Sequence, residues 1–166
     1  MTVIHTIAPV YDESSRVLIL GSFPSVRSRE NGFFYSHPQN RFWRTLAVVL
    51  GEPVPDTIAE KTAMLLRNHI ALWDVISRCE ISGSDDASIR SAEANDLSCI
   101  LEAARIRRIF VNGKTAARLY KRLIEPKTGI PAVLLPSTSP ANARWTPDTL
   151  REAYCTILNY LGDDNE

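Results

Sequence analysis

Four short apolar runs, at residues 16–20, 69–75, 108–111 and 131–135, alternate with stretches whose apolar residues recur at helical spacing. Val17, Leu18, Ile19 and Leu20 form an unbroken apolar run, the pattern of a strand buried on both faces of a parallel sheet. Parallel neighbours need crossovers, and helical patterns at 40–50, 57–68, 96–104, 114–124 and 147–161 supply them. Gly51 sits where the first of these helices would stop, and Asp56 is a candidate cap for the second. The expected fold is α/β: three layers, α/β/α, around a four-stranded, mostly parallel sheet. At 166 residues the chain reads as a single domain, residues 1–166, with room for a real core. Residues 2–11 read as an extended arm, 80–87 as loop, and the acidic 162–166 as a frayed end.

Ligands of open α/β sheets sit beyond the carboxyl ends of the strands. Each expected strand here ends in polar residues: Gly21-Ser22-Phe23-Pro24, Asp74, Asn112-Gly113, and Pro136-Ser137-Thr138-Ser139-Pro140. The loop after the first strand runs about twenty residues, whereas such connections are usually 2–6 long. That excess, filled with polar and aromatic residues, marks the place for chemistry.

Formal net charge is zero, so the chain as a whole is no polycation. Residues 103–147 nevertheless hold nine Lys or Arg against the single Glu125, a distribution that suits one basic face on a phosphate backbone, or solvated helix surfaces. Cys79, Cys99 and Cys155 are odd in number and widely spaced, which argues against a disulfide framework or a metal or iron–sulfur site and for buried or neutral thiols. The expectation is no cofactor and no metal. No signal peptide and no membrane-length apolar run is visible, so the expected location is cytoplasmic, on the nucleoid in a bacterium, with no membrane partner. Phosphate loops of the GxGxxG and GxxxxGK[ST] types and the GxSxG elbow are absent.

The segments GSFPSVRS, FFYSHPQNRFW, LWDVISRC, GSDDASI, FVNGKTA and LPSTSPANA resemble, in order and over nearly the whole chain, the hypoxanthine-DNA glycosylases. These are a branch of the uracil-DNA glycosylase superfamily. HPxNRFW together with PSTSPAN is the specific part of the signal. The resemblance implies a uracil-DNA glycosylase-like domain. It also implies a monofunctional hydrolase that flips a deaminated base, foremost hypoxanthine, out of DNA and cleaves its N-glycosidic bond. This branch lacks an acid or amide in the first motif and a histidine opening the second, as does this chain.

On that reading Asn40 places the attacking water and His37 contacts base or sugar phosphate, as the catalytic residues. Asn40 is also suited to cap the helix starting at Arg41, and the two roles are compatible. Phe23, Phe34 and Tyr35 are candidates to stack on the base, with core packing as the alternative for the aromatics. Asp74 would read the base edge by accepting the N1–H of hypoxanthine, or would be a strand-end cap or an ion-pair partner of Arg78. Asn112 would touch base or backbone, or form an Asn-Gly turn. Ser22, Ser25, Ser28, Ser137, Thr138, Ser139, Asn142 and Arg144 are the expected DNA-binding residues, with Ala143 and Arg144 as candidate wedges in the minor groove. The expected partner is DNA containing a deaminated base, and the expected state a monomer. A uracil or mismatch-specific glycosylase, a non-catalytic DNA-binding module, and a serine hydrolase using Ser22 or Ser139 remain as alternatives.

Overall fold

The computed structural model describes residues 2–162. It begins with a short strand, β1 (Thr2–Ile4), followed by the fully buried β2 (Val17–Gly21). Three helices follow: α1 (Val26–Asn31), α2 (Phe42–Leu50) and α3 (Ile58–Arg67). Next come β3 (Ile70–Asp74), β4 (Ile76–Glu80), β5 (Arg90–Ala94), α4 (Ser98–Ala103) and β6 (Arg108–Asn112). The chain closes with α5 (Lys114–Leu123), α6 (Glu125–Thr128), β7 (Ala132–Leu135) and α7 (Pro147–Tyr154).

The main sheet has the order β3-β2-β6-β7, and all its pairings are parallel. Side chains alternate across it, as the pleat demands. Val17 and Ile19 join Phe42, Leu46, Met64, Leu65, Leu150 and Tyr154 on one side. Leu18 and Leu20 join Ile100, Ala116, Leu119 and Tyr120 on the other. Each fully buried Leu or Ile contributes about 1.5–3 kcal/mol over an exposed one, and these two cores explain why β2 reads as unbroken apolar sequence. The register pairs Gly21 with Asp74 and Asn112 with Leu135, so all four strands end at one level.

Four expectations need correction. The long first loop contains α1, capped by Ser25, whose hydroxyl accepts the Ser28 amide. Residues 80–87 are only the tip of a hairpin: β4 and β5 pair antiparallel and, with β1, make a second, three-stranded sheet. Register shifts along β4 and β5 break the strict alternation by which such strands show in sequence. The helix expected through Leu161 ends at Tyr154 and tightens into a 3-10 segment, Cys155–Tyr160. Residues 163–166 of the expected acidic end lie outside the described residues. Thr57, not Asp56, caps α3.

Two of the nine cations of residues 103–147 are engaged away from the strand ends. Arg107 starts toward β6 at the sheet edge opposite the strand ends and donates to the Tyr160 and Gly162 carbonyls, while Arg108 lies over the Tyr160 ring. Of the cysteines, Cys79 is buried, but Cys99 and Cys155 are exposed. No helix among the described residues is long and apolar enough to cross a membrane.

Tyr154 and Tyr35 are buried phenols, and burial pushes both hydroxyls well above the ordinary tyrosine value. Their folded pKa values exceed the unfolded value of about 10, so their contribution to stability is full below that pH and lost as pH rises past it. The melting temperature should hold steady to about pH 9.5 and then fall, and Tyr154→Phe should flatten the fall. Thermal melts of both proteins from mild to strong alkali check this; an unchanged alkaline slope in the variant refutes it.

Candidate active site

Two hydrogen-bonded groups of side chains face each other at the strand ends. The first joins Asn112, Thr138 and Asn40. Asn112 donates its amide to the Thr138 hydroxyl at 3.1 Å and accepts the Thr138 backbone N–H at 3.1 Å. Thr138 donates its hydroxyl to Asn40 Oδ1 at 2.8 Å, and Oδ1 also accepts the Phe42 amide at 2.9 Å. Arg41 is the N-cap residue of α2, and Asn40, one residue before it, satisfies the first free amide of the helix; that backbone donor fixes which end of its amide is oxygen. Both lone pairs of Oδ1 are spent, and the NH2 group is what remains for a ligand.

Arg41 explains why HPQNRFW and PSTSPAN belong together. Its guanidinium donates to the carbonyls of Ser139 (3.0 Å), Asn142 (3.1 Å) and Trp145, and its backbone N–H to that of Thr138. One side chain thus fixes the second loop against the first. Within the second loop, Ser137 and Ser139 hydroxyls accept nearby amides and Asn142 donates to the Ser137 carbonyl. These residues shape the loop with their own side chains, which leaves exposed Arg144 and the half-buried loop surface for an outside partner.

The second group centres on Asp74. Its carboxylate is buried, with Oδ2 2.8 Å from His5 Nε2. Arg78, the partner considered from sequence, pairs with Glu93 instead. Asp74 Oδ1 points at Gly21: a Cβ there would lie 2.5 Å from Oδ1 and 2.9 Å from the Tyr35 hydroxyl. Only glycine fits between them. The Tyr35 hydroxyl is buried and makes no hydrogen bond among the described residues, although Asn112 and Asp74 are its polar neighbours. Tyr35 holds a left-handed backbone (φ 51°), a strained conformation for a residue with a side chain, and its ring stacks on Phe42 at 4.1 Å.

Next to Asp74, the Ser22 hydroxyl donates to both oxygens of Asp86, at 3.0 and 3.1 Å. Partial desolvation of the Asp86 carboxyl raises its pKa; the Ser22 bond opposes this, and the charges of Asp74 and Asp85 add to it. An open cleft of about 630 Å³ adjoins, lined by Tyr35, Ser36, His37, Asn40, Arg44 and Lys61 among others. His37 is exposed at the cleft, its Nδ1 accepting the Gln39 amide at 3.1 Å.

Several expected residues lie elsewhere. Phe34 is buried in the core, against Phe33 and His5, and presents no face for stacking. Ser28 is 1 % exposed and accepts the Ser36 amide, so it cannot meet a phosphate; Ser25 is occupied in capping α1. Ser22 serves Asp86. Phe23 is buried beneath Arg29, edge-on to His5. Sequence reasoning missed His5, Asp86 and the steric role of Gly21. GSDDASI contained the signal for Asp86; nothing local marked His5.

Comparison with known proteins fits this arrangement. Residues 8–161 match the family model described as the uracil DNA glycosylase superfamily. A protein of Methanosarcina acetivorans named hypoxanthine DNA glycosylase is 38% identical over 139 residues, covering 82% of this chain and 87% of its own. One of the same name from Methanosarcina barkeri is 34% identical over 138 residues, covering 82% and 86%. The solution NMR structure of a Methanosarcina acetivorans protein, described as a candidate uracil DNA glycosylase, superposes with a TM-score of 0.78 at 31% identity, covering 95% of this chain and 99% of that one. The fold, the strand-end site and these matches agree, and the chain belongs to the uracil DNA glycosylase superfamily.

Proposed function

We propose that this protein is a monofunctional DNA glycosylase that flips a deaminated base, hypoxanthine, out of DNA and hydrolyses its N-glycosidic bond. The observation that carries the reading is the pairing of two unlike groups at one sheet edge: an amide with only its NH2 uncommitted, Asn40, and a buried carboxylate with one uncommitted oxygen, Asp74. Relatives named hypoxanthine DNA glycosylase support the choice of base.

Glycosidic cleavage passes through an oxocarbenium-like transition state. Such a cation needs a water in position more than a strong base to activate it. The Asn40 NH2 donates to that water's oxygen and holds it still, its amide locked by Thr138 and Phe42. Asp74 Oδ1 accepts the N1–H of hypoxanthine, and the Tyr35 hydroxyl, which burial keeps protonated, is the donor beside it for O6. Adenine offers an acceptor at N1 and a donor at C6, the reverse pattern, and is refused. Asp74 selects the base without helping it depart, since a carboxylate opposes negative charge on a leaving purine. His37, Arg44 and Lys61 line the cleft beside Asn40 and suit the DNA backbone.

The test is single-turnover incubation with duplexes carrying hypoxanthine, xanthine, uracil or adenine, followed by alkali to reveal abasic sites. Hypoxanthine is expected to be released fastest and adenine not at all. Release of uracil alone would transfer the protein to the uracil-specific reading, and DNA binding without release to the non-catalytic one.

A further inference from the structure

The N-terminal arm carries a residue that no part of the reading above uses. His5 follows β1 directly, and its backbone N–H donates to the Ser77 carbonyl at 2.7 Å. Its side chain is 2 % exposed and sits among the rings of Phe23, Phe34 and Trp73, with centroids 6.0–6.3 Å away. Both ring nitrogens are engaged. Nδ1 accepts the Ile7 amide at 3.2 Å, so it bears no proton. Nε2 therefore carries the hydrogen and donates it to Asp74 Oδ2 at 2.8 Å.

The arm does not need this pair to stay in place. β1 pairs with β4, Val10 bridges Leu72, and Trp73 Nε1 donates to the Ile7 carbonyl at 3.0 Å. Nor is a buried polar pair the cheapest way to fill the space, since apolar residues of similar volume often serve as well or better. What the imidazole adds is direction. A carboxylate is two-fold symmetric and either oxygen can turn to the pocket. An N–H aimed at Oδ2 requires an acceptor there, holds the group in one rotation, and leaves Oδ1 facing Gly21.

We propose that His5 is the positioning residue for base recognition, committing Asp74 to present a single acceptor oxygen to the N–H of a flipped base. The chain of direction runs from the Ile7 amide through the imidazole to the carboxylate. The proposal rests on the reading of Asp74 as the base reader given above. It places a selectivity determinant in a segment remote in sequence from every motif of the site.

The experiment is a double-mutant cycle of His5→Phe and Asp74→Ala in the full chain, with His5→Gln alongside to restore a donor. Two quantities are read: the single-turnover rate on a hypoxanthine duplex, and affinity for a duplex holding tetrahydrofuran, which has no base to read. His5→Phe is expected to slow hypoxanthine release about 10- to 100-fold, the worth of one hydrogen bond to a charged group. Tetrahydrofuran affinity should stay unchanged, and His5→Gln should recover part of the rate. In the Asp74→Ala background His5→Phe should cost nothing further, because its only route is through Asp74. A wild-type rate in His5→Phe, an equal loss in both backgrounds, or a parallel loss of tetrahydrofuran affinity would each overturn the proposal. Should His5→Phe fail to fold, as a thermal melt would reveal, a His5→Gln rate between those of wild type and Asp74→Ala is expected, and a loss as large as that of Asp74→Ala refutes it. Full activity of Asp74→Ala alone would sink the base-reading assignment itself, a separate failure visible before the cycle is closed.

Discussion

Asn40→Ala is expected to release hypoxanthine about 100- to 1,000-fold more slowly than the natural protein, the usual loss when one preorganised polar group leaves an active site. The amide has two jobs, and they separate. Its oxygen satisfies the Phe42 amide at the start of α2, and leaving such a group without its partner costs about 1 kcal/mol of stability. Its NH2 holds the water, and losing that costs rate. Thr138→Val tests the division from the other side. It removes the hydroxyl bonded to Oδ1 but leaves the bond from Phe42, so the amide stays in place yet is held by one donor instead of two. A loss of about 10-fold is expected there, through misplacement of the NH2 rather than its removal. Single-turnover rates at saturating enzyme, with melting temperatures alongside, check both variants. If Asn40→Ala stays within about tenfold of the natural protein, the water-placing role is wrong, since that is below the loss such a group causes.

Asp74→Asn should change which base is chosen. His5 Nε2–H requires an acceptor from the side chain at position 74, so the new carbonyl turns to His5 and the NH2 turns toward Gly21. Hypoxanthine N1–H then meets a donor, and its release should fall at least about 100-fold. Adenine N1, an acceptor, meets the same NH2 favourably. The hypoxanthine-to-adenine ratio should therefore fall further than the hypoxanthine rate itself. Rates on matched duplexes, with adenine placed in a mismatch to ease flipping, measure this. A variant that loses hypoxanthine release and gains none on adenine would mean that Asp74 supports the fold of the pocket and does not read the base.

Tyr35 shows how function and strain meet here. Its left-handed backbone lets the ring lie on Phe42 while the hydroxyl reaches the space above Gly21. From sequence it was one of three aromatic candidates, and nothing local separated it from Phe34. Burial separates them. Phe34 completes the core, and the Trp43 indole donates to its carbonyl at 3.1 Å. The serines divide in the same manner. A hydroxyl in a loop can serve a phosphate or its own backbone, and residue type alone carries no preference between the two. In the folded chain the Ser25, Ser137 and Ser139 hydroxyls are taken by amides two or three residues on, and that of Ser28 by the amide of Ser36.

The sequence by itself determined the layered architecture and the edge at which chemistry gathers. These follow from periodicity and residue type: β2 is apolar without a break because both its faces are covered, and each strand run ends in polar residues. The tertiary structure alone decided what faces Asp74. His5 lies 69 residues away and Asp86 reaches Ser22 across 64. Both arrive through antiparallel pairings, β1 on β4 and β4 on β5, in which irregular register hides the strands from any local pattern. A hydrogen-bond partner is chosen by which backbone segments lie side by side, and a single residue's shift in that register would move His5 off the carboxylate.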